Sequence, residues 1–118
     1  MQPKDFRRLA LHMPDVVEGA HMNHPDFRVN GRIFATLKPD GKSGMVKLPL
    51  DDQRRFVAHG DGAFTPENGA WGRQGCTSVS LAAVDEATLR EAIALAWQSA
   101  VESRPVKRRP AKRRPPAS

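Results

Sequence analysis

Residues Phe27–Leu37, FRVNGRIFATL, decide the fold of this chain. Asn30-Gly31 lies between two runs of apolar and β-branched residues. This dipeptide is typical of a two-residue β-hairpin turn, whose central positions both need positive φ. Such a turn places Phe27 opposite Phe34, an aromatic pair across the two strands. Because apolar side chains fall on both faces of the hairpin, we expect its second face to be covered by a helix or a partner chain.

Apolar periodicity on either side of the hairpin predicts an α+β domain. A turn-rich loop, Lys38–Gly44, leads into the strand Met45–Leu48, so the hairpin extends into a three-stranded antiparallel meander. Amphipathic patterns elsewhere in residues 1–103 predict helices that pack on this antiparallel β-sheet. We expect helices at residues 3–13, 49–58 and 86–103, strands at 16–22, 27–29, 32–37, 45–48 and 77–81, a turn at 23–25 and a loop at 59–70.

A second conspicuous stretch is Gly69–Thr77, GAWGRQGCT, in which three glycines surround Trp71 and Arg73. Glycine at this density lets the backbone turn sharply or approach another segment closely. We expect Trp71 to fill an edge of the core, with a base or another ligand stacked on it as the alternative. The stretch matches neither a nucleophile elbow nor a phosphate-binding loop.

Positive charge is concentrated at the C-terminus. Seven of the 19 Lys and Arg residues lie in residues 104–118, which contain no acid. The other 12 stand against 13 acids in residues 1–103, a formal net charge of −1. The last segment repeats Pro-Val-Lys-Arg-Arg as Pro-Ala-Lys-Arg-Arg, and its recurrent prolines and low apolar content predict disorder. We therefore expect one folded domain, residues 1–103, and a disordered basic C-terminal tail, residues 104–118.

The same composition bears on the cellular compartment. The chain has a single cysteine, Cys76, so it cannot form an intrachain disulfide. The absence of disulfides is typical of proteins in a reducing cytoplasm. No apolar run reaches the roughly 18 residues of a membrane span. The N-terminus lacks the pattern of a secretory signal. We expect a cytoplasmic protein that does not bind membranes.

The order and spacing of five segments resemble the MmcQ/YjbR family of small bacterial proteins. The segments are Pro14–Gly19, His24–Val29, Ile33–Leu37, Met45–Leu48 and Trp71–Gly75, and the resemblance covers roughly residues 4–101. It implies an antiparallel sheet with helices packed on it, an architecture like that of secretion chaperones. It also implies DNA binding, with paired wing-like hairpins as the contact. Cys76, where the family commonly has Trp, and the tail depart from the family pattern.

The resemblance and the charge together favour a non-enzymatic nucleic-acid-binding protein, with DNA favoured over RNA. A basic hairpin can follow phosphates as a wing does, and a basic tail binds polyanions through counterion release. If all seven tail charges engaged duplex phosphates, the slope of log K against log salt would steepen by roughly 6. The candidate contacts are Arg28, Arg32, Lys38, Lys42, Lys47, Arg73, Lys107, Arg108, Arg109, Lys112, Arg113 and Arg114.

The alternative hypothesis is a protein-interaction or small-ligand-binding module, including a homodimer, that uses the sheet face or the edge Trp71–Gly75. Enzyme chemistry is disfavoured, because the spacing assembles no set of acid, base and nucleophile. Cys76 is interpreted as a small buried apolar residue. His21, His24 and Asp26 lack metal-ligand spacing, since strand positions three apart lie on opposite faces. We therefore expect no metal and no cofactor.

Overall fold

The computed structural model describes residues 1–21, 24–59 and 61–102, which contain four helices and six strands. In chain order these are α1 (Pro3–Leu11), β1 (Val17–His21), β2 (His24–Val29), β3 (Arg32–Leu37), β4 (Ser43–Lys47), α2 (Leu50–His59), β5 (Phe64–Pro66), α3 (Gly69–Arg73), β6 (Cys76–Ser80) and α4 (Glu86–Glu102). The strands form one antiparallel sheet in the order β1-β2-β3-β4-β6-β5. The predicted α+β fold is confirmed, and the predicted disordered tail lies outside the described residues.

One face of the sheet forms the core together with α1 and α4. Phe27, Ala35, Val46 and Thr77 stand in register across β2, β3, β4 and β6, and all four are fully buried. Phe6 of α1 packs on this row, with its ring centroid 6.1 Å from that of Phe27. Burying a large apolar side chain completely stabilises the fold by about 1.5–3 kcal/mol. α4 contributes a stripe of buried side chains to this core: Leu89, Ala92, Ile93, Ala96 and Ala100.

The β2–β3 hairpin turns at Asn30-Gly31 as predicted, with φ of 54° and 76° at these two residues. Its register, however, differs from the prediction. A β-bulge shifts the pairing so that Phe27 lies opposite Ala35 rather than Phe34. The predicted aromatic pair is therefore wrong, because the bulge adds one residue to β3. Phe27 and Phe34 are nevertheless both buried.

Regular structure also extends into two segments that were predicted to be irregular. His24 and Pro25, predicted in a turn, belong to β2 and pair with β1. Residues 59–70, predicted as a loop, contain β5 and the start of α3. β5 pairs with β6, and Phe64 of β5 packs against Phe56 of α2 with 4.9 Å between ring centroids. In the second segment, pairing with the more distant strand β6 outweighs the local turn preference.

Candidate functional site

The sheet opens between β3 and β4. β3 begins at Arg32 and β4 ends at Lys47, but the two strands pair only as far as Ala35 opposite Val46. Beyond that pair, β3 stays with β2, and β4 stays with β6. A cleft of about 830 Å³ lies here, lined by β3, β4, the segment around α3 and the last turns of α4. Its volume is in the range of small-ligand sites.

The cleft combines an apolar interior with a charged rim. Phe34 and Met45 line it from the sheet, and Ala96 and Ala100 line it from α4. Such surfaces accept the flat or apolar part of a ligand, while charged groups at the rim fix its orientation. The charged lining residues are Arg32, Lys38, Lys47 and Glu67, which together carry a formal charge of +2.

The basic rim residues have different surroundings. Lys38 Nζ lies 2.8 Å from Glu67 Oε2 and 3.2 Å from Ser78 Oγ, so its position is fixed and its charge is balanced. Arg32 is half-buried at the first position of β3. Lys47 is exposed, and within the described ranges it forms no ion pair. Lys47 therefore presents a charge that an incoming anion can neutralise.

Trp71 stands at the rim of the cleft with 68% of its surface exposed. The expectation that it fills an edge of the core is wrong. The reason is that α3 packs inward through Gly72, which is buried. A Cβ at this position would overlap the carbonyl oxygen of Glu67 and lie 3.0 Å from the carbonyl carbon. The short helix thus turns its smallest residue to the protein and its largest residue to the cleft.

The segment that carries Trp71 is held in place by hydrogen bonds to its backbone and to the start of β6. Gln53 of α2 is buried, and its Nε2 lies 3.0 Å from Gly72 O and 3.1 Å from Thr77 Oγ1. Gly75 adopts a φ of 103°, and its carbonyl oxygen accepts the Leu48 N–H at 2.9 Å. Gln53 was not predicted as a site residue, because nothing in the pattern of α2 distinguishes a buried glutamine from an exposed one.

The other predicted nucleic-acid contacts in the folded domain do not line the cleft. Arg28 Nε lies 2.7 Å from Oδ1 of the buried Asp26, and this hydrogen bond raises the pKa of Arg28. Lys42 is exposed in the β3–β4 connection, where its backbone N–H donates to Asp40 and lowers the pKa of that carboxyl. Arg73 is exposed at the end of α3. The contacts predicted in the tail lie outside the described residues, and all of these assignments stay predictions.

Cys76 lines the cleft, although its side chain is buried. Burial raises the pKa of the Cys76 thiol, with Glu67 adding to the shift and Lys47 opposing it, so the thiol is protonated at neutral pH. Among the described residues, no three His, Cys, Asp or Glu side chains are grouped so as to hold a metal ion. Nor does the described part of the chain contain a helix long and apolar enough to cross a bilayer.

These features define an α+β domain whose antiparallel sheet opens into a cleft with a basic rim. The YjbR family model matches residues 11–99, so the chain belongs to the YjbR family, as the sequence resemblance indicated. The crystal structure of the Deinococcus radiodurans protein DR2400, with a DUF419 domain, superposes with a TM-score of 0.70 at 14% identity. That superposition covers 84% of this chain and 78% of the Deinococcus chain, and it establishes a shared fold. No curated protein matches the chain.

Proposed function

We propose that this YjbR-family protein is a non-enzymatic, cytoplasmic nucleic-acid-binding protein, with DNA favoured over RNA. The observation that carries this proposal is the position of Arg32, Lys38 and Lys47 around one cleft, beside the exposed ring of Trp71. Lys and Arg side chains are the usual partners of phosphate oxygens, and exposed aromatic rings are the usual partners of unstacked bases. One cleft therefore offers both kinds of contact.

Binding by the folded domain depends on a local excess of positive charge. Residues 1–103 carry a formal net charge of −1, so no uniform field attracts a polyanion to the domain. At the cleft the balance is reversed, because its charged lining residues are three bases, Arg32, Lys38 and Lys47, and one acid, Glu67. A phosphate that approaches Lys47 is attracted at short range, within the Debye length of about 8 Å at physiological salt.

The tail supplies a second, non-specific contact with the same nucleic acid. α4 ends at Glu102, directly after Ser99 and Ala100 in the cleft lining, so the chain continues from a point beside the cleft. The residues that follow contain seven cations, and a chain of this length reaches at most about 58 Å. A nucleic-acid strand that is bound in the cleft therefore encounters the tail at a high effective concentration, and each contact strengthens the other.

A charge-matched pair of variants tests the proposal. Lys47→Ala removes a cation from the cleft, and Lys4→Ala removes one from an exposed position on α1. Fluorescence anisotropy with a labelled oligonucleotide should show weaker binding and a shallower salt slope, by about one unit, for Lys47→Ala only. Equal effects of the two substitutions, or no binding by the unmodified protein at low salt, would contradict it.

An interaction module, dimeric through its sheet edge, is the second candidate. β1 is an edge strand, and Val17 on it is 65% exposed, an arrangement that favours pairing with another chain. Sedimentation velocity separates the two functions. A stable dimer whose nucleic-acid affinity does not change on Lys47→Ala favours the interaction module. A monomer whose nucleic-acid affinity falls on Lys47→Ala favours nucleic-acid binding.

A further inference from the structure

We propose that the cleft receives one unpaired base of a single strand, stacked on Trp71, so that the protein binds single-stranded nucleic acid in preference to duplex. The inference rests on the proposed function and adds the form of the nucleic acid and the part of it that enters the cleft. Three observations carry it: the exposure of Trp71 on a backbone that is held in place, the composition of the cleft, and the placement of charge at its rim.

Trp71 is exposed without being loosely held. With 68% of its surface in solvent, the side chain gains little from burial, so core packing does not account for its presence. The backbone that carries it is nevertheless fixed by the close packing of Gly72 and by the Gln53 hydrogen bonds. A rigid aromatic ring loses little conformational entropy when a flat ligand stacks on it. Trp71 is therefore pre-organised as a stacking surface.

The interior of the cleft suits a nucleobase, and its rim suits a phosphate. Phe34, Met45 and Ala100 line the same cleft as Trp71 and make its interior apolar. Lys47 lies at the same cleft and forms no ion pair with the other described residues. Repulsion of the phosphate by Glu67 is reduced, because that carboxylate is paired with Lys38 at 2.8 Å. A nucleotide matches this arrangement, because its flat base suits the apolar interior and its phosphate suits the cationic rim.

Duplex nucleic acid can use this arrangement only at a cost in free energy. Its bases are paired and stacked on their neighbours, so a base reaches a protein pocket only after it leaves the stack, which costs free energy. A single strand presents its bases without that cost, and stacking on an aromatic side chain accepts any base. An acidic peptide would match the cations of the rim, but it supplies no flat group for Trp71.

The test uses the full-length protein and three probes of equal length: oligothymidylate, an abasic deoxyribose-phosphate strand, and a duplex. The oligothymidylate should bind roughly 5- to 150-fold more tightly than the abasic strand and should quench tryptophan fluorescence. Trp71→Ala should abolish both the gap in affinity and the quenching, while the affinities for the duplex and the abasic strand stay unchanged. Trp71→Phe should restore part of the gap, and an oligouridylate arm shows whether RNA is also accepted.

Each outcome separates this inference from the proposed function. If the protein binds all three probes equally and Trp71→Ala changes nothing, base stacking is refuted while nucleic-acid binding stands. If Trp71→Ala lowers the affinity for all three probes by the same factor, the ring supports the structure of the whole site, and the inference is also refuted. If no probe binds at low salt, or if polyglutamate competes as well as oligothymidylate, the proposed function falls and the inference falls with it.

Discussion

Gly72→Ala should destabilise the fold through a backbone clash. The new Cβ would overlap Glu67 O and lie 3.0 Å from Glu67 C and 3.2 Å from Glu67 N, so no side-chain rotation relieves it. Glu67 is itself fixed, because its N–H donates to Cys76 O at 2.9 Å. Overpacking of this kind costs about 1–3 kcal/mol, and the backbone shift that relieves the clash moves Gly72 O away from Gln53 Nε2, which costs about 1 kcal/mol more.

We therefore expect a loss of about 2–4 kcal/mol in the free energy of unfolding and a fall of about 10 °C or more in Tm. The control is Gly69→Ala in the same helix, where a Cβ meets nothing within 4 Å and only the φ of 64° is unfavourable, at about 1 kcal/mol. Urea and thermal unfolding followed by circular dichroism measure both. The packing argument fails if Gly72→Ala is no less stable than Gly69→Ala.

Two further predictions concern residues outside the cleft. Arg28→Ala removes two hydrogen bonds from the buried carboxylate of Asp26, so the urea midpoint should fall. Oligonucleotide affinity should fall less than it does for Lys47→Ala, and a larger fall for Arg28→Ala would make Arg28 a contact residue. Asp85 accepts the Thr88 N–H at 2.7 Å, which lowers the pKa of Asp85 below its ordinary 3.8. Because the folded pKa is the lower one, this stabilisation is present above about pH 3.8 and is lost as the pH falls through the folded value. Asp85→Asn should thus be less stable than the wild type at neutral pH and should approach it in strong acid, and a constant difference across the range would contradict this.

Local sequence patterns predict most of the sheet because its strands follow one another along the chain. Asn30-Gly31 determines the hairpin turn by its own conformational preference, and the amphipathic stripe of α4 determines which of its residues are buried. The bulge that moves Phe34 out of the predicted pair leaves no local mark, since it depends on how two packed faces fit together. Trp97 follows the helical spacing of this stripe but is half-exposed, because its Nε1 donates to Pro14 O at 2.9 Å.

The cleft was beyond local prediction, although several of its residues were named in advance. Its opening depends on the point where β3 and β4 separate, and β6 inserts next to β4 from a distant part of the chain. The sequence placed Lys42 with Arg32, Lys38 and Lys47 because all four lie on one meander, but only the latter three line the cleft. The exposure of Trp71 follows from the inward packing of α3, which no periodicity over five residues reveals.

The most direct test of the account is the affinity of a protein ending at Ser103 for a single-stranded oligonucleotide over a range of salt concentrations. We predict that this protein still binds at low salt, that its salt slope is shallower than that of the full chain by roughly 5, and that Lys47→Ala weakens it further. Absence of binding by the truncated protein would contradict the central claim, because the affinity would then belong to the tail and the cleft would have no part in it.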